Sequence, residues 1–180
     1  MKNKNRVKMI ALCGIFSAAE LVILYLSSVF QVLDLAIAAL TVLFTVVLFI
    51  EYGIKPSLAV YLVVSVLSVL IVPNKFTPLC YVFFMGIYPI VKPFFDKPAK
   101  PVGYLLKLIY FNAGYILLYF IVSHFAMLDD IFGIGSVMFF VTLAMANVAF
   151  LLCDYVIGLM TVVYTLKLRK RFGFERIFKK

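Results

Sequence analysis

The sequence predicts an all-α, polytopic membrane protein: six transmembrane helices in one bundle, both termini cytoplasmic. Three observations predict it. Hydrophobic residues make up 66% of the 180-residue chain, well above the roughly 45–50% apolar content of a soluble domain. Six apolar stretches approach the about 20 residues that a helix needs to cross a hydrocarbon core about 30 Å thick. Of the 17 Lys and Arg residues, all but Lys75 fall in segments that six crossings place on one side.

The first span, near 9–30, follows a head carrying Lys2, Lys4, Arg6 and Lys8. It lacks a convincing small-residue cleavage site, so a retained signal anchor is expected rather than a removable signal peptide. The second span, near 35–51, follows Asp34, and the third, near 56–72, follows Lys55. Both are short, so they are expected to stand nearly upright or to thin the bilayer slightly. The fourth, near 77–95, runs from Lys75 to Lys92, after which Lys97, Lys100 and three prolines (Pro93, Pro98, Pro101) predict a stiff, extended connection. The fifth, near 104–125, carries Lys107 near its start and leads to the acidic pair Asp129 and Asp130. The sixth, near 136–166, is long enough to tilt or to pass beyond the lipid, and a basic tail from Lys167 to Lys180 follows it. The positive-inside bias places the head, Lys55, the Lys92–Lys107 region and the tail in the cytoplasm, in a multi-pass protein of the plasma membrane. An odd number of crossings would put either the basic head or the basic tail outside.

The formal net charge of +9 does not point to nucleic acid, because the basic residues flank apolar spans, where anionic headgroups attract them. The lipid bilayer is the expected partner. Cys13, Cys80 and Cys153 all fall in spans with no paired spacing, so they read as small buried apolar residues, without a disulfide or metal framework. The spans leave no room for a separate soluble domain, and residues 1–180 form a single integral membrane domain with no internal repeat.

Polar residues within the spans are the informative ones, since they do not profitably face hydrocarbon. Helical spacing puts Asp34, Thr41 and Thr45 on one face of the second helix, and Ser57, Tyr61, Ser65 and Ser68 on one face of the third. The same spacing aligns Thr77, Tyr81, Tyr88 and Lys92 on the fourth, and Asn112, Tyr115, Tyr119 and Ser123 on the fifth. Each stripe is expected to point inward. Interhelical packing, in which such hydroxyls contribute about 0.6 kcal/mol each, explains any single one of them.

Glu20 is different. It lies near the middle of the first span, where a charged side chain costs at least about 2.5–3.5 kcal/mol unless it is neutralised, paired or wetted. Asn147, also mid-helix, is the polar group expected to meet it, and Asn147 shares a face with Asp154. One account makes Glu20 and Asn147 the base of a ligand site; the other makes Glu20 a hydrogen-bonded residue that sets the bundle's register. Asp154 sits nearer the inner interface, where pairing with an inner Lys is the simpler account. At the outer end Tyr25, Asn74, Lys75, Phe76, His124 and the Asp129–Asp130 loop are expected to form a mouth suited to a planar organic ligand with a polar substituent. The candidate substrate-binding residues are therefore Glu20, Lys75, Tyr81, Tyr119, His124 and Asn147, with interfacial anchoring or solvation as the plainer alternative for the outer ones.

The first helix carries a second pattern. Ala11, Gly14 and Ala18 form a small-residue face, roughly 150° around the helix from Glu20, so one helix can line a site and also dock a partner, with close packing inside the bundle as the plainer alternative. Nucleotide-binding, metallohydrolase and serine-hydrolase signatures are all missing, and the single His does not make a conventional metal site. No enzymatic activity, cofactor or metal is expected, and active transport would need ATP hydrolysed by another subunit.

In size, six-helix topology and the basic head running into an Ala-rich first helix, KNKNRVKMIALCGIFSAAELV, the chain resembles the S component of energy-coupling factor transporters. In that family an A-x-x-x-A motif on the first helix contacts the coupling subunit, and here Gly14 and Ala18 occupy the pattern, with Gly in place of the first Ala. The resemblance implies capture of a vitamin-like small molecule in the outer half, and uptake together with a coupling transmembrane subunit and two ATPases. The rival expectation is a non-catalytic bacterial scaffold, similar to rod-shape-determining membrane subunits of cell-envelope assembly. The segments EYGIKPS, PNKF and GIYPIVKPFF are left without a role.

Overall fold

The computed structural model describes residues 2–30, 39–124 and 136–168, with side chains over 6–29, 39–122 and 139–166. Asp34, the Asp129–Asp130 pair, the tail beyond Leu168 and the side chains of Ser123 and His124 lie outside the described residues. The fold is that of an all-α membrane protein. Six helices are described: α1 (Lys2–Phe30), α2 (Thr41–Tyr52), α3 (Ile54–Ile71), an interrupted α4 (Phe76–Cys80, Tyr81–Met85 and Tyr88–Phe95), α5 (Lys100–His124) and α6 (Ser136–Val163, extended by a π-helical turn Tyr164–Leu168). Five of them are long and apolar enough to cross a membrane, and α2 is a shorter apolar helix. Its 12 residues rise about 18 Å, less than the hydrocarbon thickness. The shortness expected of the second span holds for its described part.

The helix ends explain the segments that carry no recognisable motif. Between α2 and α3, Gly53 adopts φ +82°, a conformation that residues with a Cβ rarely adopt, and its carbonyl accepts the Ser57 hydroxyl at 3.0 Å. EYGIKPS is thus a one-residue reversal between two helices. In PNKF, the Lys75 ammonium donates to the carbonyls of Val69 and Val72 at 2.9 Å, capping the C-terminus of α3. The adjacent Asn74 carboxamide oxygen accepts the Phe76 N–H at 3.0 Å, where α4 begins. These four residues end one helix and start the next.

The fourth span covers Phe76–Phe95 but is interrupted. Its backbone widens to a π-helical turn over Tyr81–Met85, closed by the Gly86 N–H on the Tyr81 carbonyl at 2.8 Å. Pro89 and Pro93 lack the N–H that would hold the preceding turns, so the register loosens where GIYPIVKPFF begins. The wider turn leaves the Val82 carbonyl to accept the Tyr61 hydroxyl from α3 at 3.0 Å.

The chain forms two compact units, residues 1–90 with 157–180, and residues 91–156. In the first, α1 packs on α3, α2 and the start of α4, and α2 packs on α3. Its core is Leu24, Leu48, Val60, Val64, Val72 and Tyr81. Tyr164, buried at the end of α6, donates to Glu51 at 3.1 Å. In the second unit α5 and α6 run antiparallel and meet in a ladder of matched rungs. Lys107 meets Asp154, Phe111 stacks on Phe150 at 4.5 Å, Asn112 pairs with Asn147, the Tyr115 hydroxyl donates to Thr142, and Tyr119 meets Phe139 edge-on at 4.9 Å. The α5 partners recur about every four residues, the spacing that lines one helix face. Asn112, Tyr115 and Tyr119 of the fifth helix's stripe thus face α6. Cys80 is buried and Cys13 partly so, but Cys153 is exposed; it lies on a face of α6 that an apolar thiol can present to lipid.

Candidate functional site: the Glu20 cluster

Glu20 sits in the middle of the apolar stretch Arg6–Val29 and has no exposed surface. Two neighbouring helices of the first unit supply its partners. Thr45 of α2 donates to Oε1 at 3.1 Å, and Tyr81 of α4 donates to Oε2 at 2.7 Å. Thr45 is 2% and Tyr81 0% exposed, so the carboxyl group is enclosed as well as paired. Hydrogen bonds to a charged group contribute about 1.5–3 kcal/mol each. Two of them are of the same order as the cost of a charged side chain at mid-membrane, which is at least about 2.5–3.5 kcal/mol.

Tyr81 is held in turn. Its ring lies 6.2 Å from that of Tyr61, and the Tyr61 hydroxyl is fixed on the Val82 carbonyl. Gly86 makes room for both rings: a Cβ there would stand 2.6 Å from Tyr61 and 2.8 Å from Tyr81. The π-helical turn, Gly86 and the two tyrosines therefore aim one hydroxyl at one carboxylate oxygen. Farther along the same buried faces lie Ser27 of α1, Thr41 of α2, Ser68 of α3 and Thr77 of α4, all without exposed surface. Ser27 and Ser68 donate to carbonyls of their own helices. Among the described residues the Thr77 hydroxyl oxygen is buried without a hydrogen-bond partner.

The structure gives Glu20 different partners from the one expected. Its carboxyl bonds to Thr45 and Tyr81, whereas Asn147 exchanges two hydrogen bonds with Asn112, at 3.0 and 3.1 Å. Each of these amides also donates to a carbonyl of its own helix, Leu108 or Leu143, at 2.8 Å. Both amide protons of Asn147 are thus used within the α5–α6 pair, which makes Asn147 a helix clasp. Tyr81 belongs to the Glu20 cluster, Tyr119 packs on Phe139 in the second unit, Lys75 caps α3, and the His124 side chain is not among those described. Thr45 was legible in its stripe, but not as a Glu20 partner.

On α1, Ala11, Gly14 and Ala18 are exposed, and among the described residues nothing lies within 4 Å of where a Gly14 Cβ would be. Val7, Val22 and Val29 continue the same exposed stripe. The helix thus buries its carboxyl on one side and leaves a smooth small-residue track on the other.

The second unit holds the other buried charges. Asp154 accepts Lys92 on Oδ1 and Lys107 on Oδ2, the latter at 3.0 Å, and Lys107 also reaches Asp96 at 2.6 Å. Lys92 further donates to the Asp154 carbonyl at 3.0 Å. The Asp154 and Lys107 side chains are 8% and 6% exposed and Asp96 is 49% exposed, so Asp154 anchors the network and Asp96 closes it at the surface. The pairing expected of Asp154 with a nearby lysine is present twice. Among the described residues no three His, Cys, Asp or Glu side chains come together as a metal site. No family model, no curated protein and no solved structure matches the chain.

Proposed function

We propose that this chain is the membrane-embedded substrate-binding subunit of a small-molecule uptake transporter, energised by partner ATPases through a coupling transmembrane subunit. One observation carries the reading: α1 has two opposed specialised faces, Glu20 tied to α2 and α4 on one and the exposed Ala11–Gly14–Ala18 track on the other. A carboxyl that reports on the position of two neighbouring helices, on a helix that also docks a partner, links ligand capture to association. In this reading the termini and the Lys92–Asp154 network lie on the cytoplasmic side of the plasma membrane, and the solute, of the vitamin size class, enters from the opposite side. Ligand contact with Glu20 requires Thr45 or Tyr81 to swing away, because the carboxyl has no free surface.

That enclosure supports a second reading, a scaffold of cell-envelope assembly, in which Glu20 and the Asn112–Asn147 clasp only fix helix register. Copurification from native membranes at native expression separates the two. The transporter reading expects ATPase subunits with the wild-type chain and their loss with Gly14→Leu, which fills the small-residue track at a position whose Cβ meets nothing among the described residues. Recovery of envelope-synthesis proteins alone, or unchanged ATPase recovery with Gly14→Leu, contradicts it.

A further inference from the structure

The joint between α4 and α5 carries more positive charge than the acids around it absorb. The apolar stretches on either side end at Phe95 and begin at Lys100, and each is long enough to cross a membrane, so residues 96–99 lie at a membrane face. The joint is firmly built. A Cβ on Gly103 would stand 2.6 Å from the Phe95 carbonyl oxygen, the Phe95 and Tyr110 rings meet at 5.6 Å, and Lys107 reaches Asp96 at 2.6 Å. Residues 92–107 hold four Lys and one Asp. Lys92 and Lys107 are taken up by Asp154 and Asp96. Lys97 and Lys100 are exposed and make no ion pair among the described residues.

Two rings stand beside these cations. The Lys97 ammonium lies over Phe94, 4.7 Å from the ring centroid. The Lys107 ammonium leans back over Tyr104 at 5.3 Å, the direction in which a lysine in a helix snorkels toward the nearer surface. Lys100 precedes Tyr104 by one turn, so it shares that face of α5. Lys97 and Lys100 are three residues apart, which keeps their Cα atoms within about 11 Å, close enough for both flexible side chains to meet one phosphate. Deeper along α5, Leu105 and Ile109 are exposed one turn apart.

We propose that Lys97 and Lys100, flanked by Phe94 and Tyr104, hold the phosphate of one anionic phospholipid whose acyl chain runs along Leu105 and Ile109. Charge complementarity selects the anion, and the apolar continuation selects a lipid over a soluble phosphate. The site is narrower than the general attraction of basic flanks to headgroups: Lys8 and Lys55 are exposed too, but no ring stands beside them among the described residues. Such a site serves a scaffold as well as a transporter subunit, so its test is separate from copurification.

Native mass spectrometry of the full-length chain in detergent, titrated with phosphatidylglycerol or with phosphatidylcholine of the same acyl chains, reads the site directly. The expected result is one phosphatidylglycerol retained per chain in preference to phosphatidylcholine. Lys97→Gln with Lys100→Gln is expected to weaken it about 30-fold, whereas Lys97→Arg with Lys100→Arg and the control Lys8→Gln with Lys55→Gln leave it unchanged. Asp96→Asn removes the neighbouring acid and is expected to tighten binding, a direction that damage to packing does not produce. Equal retention of the two lipids, an equal loss in the control, no loss in Lys97→Gln with Lys100→Gln, or weaker binding in Asp96→Asn would each overturn the proposal. Displacement of the lipid by equimolar, acyl-free glycerophosphoglycerol would overturn the choice of a lipid.

Discussion

Deleting the Tyr81 hydroxyl leaves a carboxyl that has no access to water with one donor in place of two. The donor is charge-assisted and buried, so Tyr81→Phe is expected to cost about 1.5–3 kcal/mol, read from unfolding in mixed micelles; a cost below measurement error would mean that Glu20 does not depend on it. Gly86→Ala acts on the same hydroxyl from behind. Its Cβ would meet both tyrosine rings at 2.8 Å or less, an overpacking expected to cost about 1–3 kcal/mol. The two changes should be clearly sub-additive, because each disturbs the same hydrogen bond; simple additivity would separate Gly86 from the cluster. Glu20 stands out in the sequence by type and depth, and Tyr81 by its stripe. Their pairing does not, because depth ranks residues along a helix axis but says nothing of which neighbouring helix a face meets.

At the scale of the elements, α5 and α6 are held by side chains rather than by close backbone approach. The reciprocal amide pair of Asn112 and Asn147 is fully hydrogen-bonded, and a double-mutant cycle with Ala is expected to give a coupling of about 0.6–1.7 kcal/mol; zero coupling would make the clasp a bystander. The charge network separates more sharply. Asp154→Asn leaves Lys92 and Lys107 without their shared buried anion and is expected to cost about 3–5 kcal/mol. Asp96→Asn, at a half-exposed position, is expected to cost under about 1 kcal/mol. Equal costs measured by unfolding would contradict the burial order. Apolar length made these spans legible. It is blind to the break in α4, whose signals are backbone ones: Gly86, and the missing N–H groups of Pro89 and Pro93. PNKF and EYGIKPS were opaque for the same reason, since their work is to cap and to turn.

For the whole molecule, the account depends on the polypeptide crossing the bilayer as often as its apolar helices allow, with the basic segments together on one side. Five helices are long enough by themselves and α2 is shorter, so the number of crossings turns on whether α2 passes through. Replacing Cys13, Cys80 and Cys153 provides a background for single reporter cysteines, labelled in intact cells with a membrane-impermeant thiol reagent. Six crossings predict that Pro73→Cys, exposed in the turn between α3 and α4, is labelled from outside. Cysteines at Lys2, Lys55 and Lys180 should react only after permeabilisation. Labelling of either terminal position in intact cells, or protection of position 73, would contradict the six-crossing arrangement on which the placement of Glu20 depends.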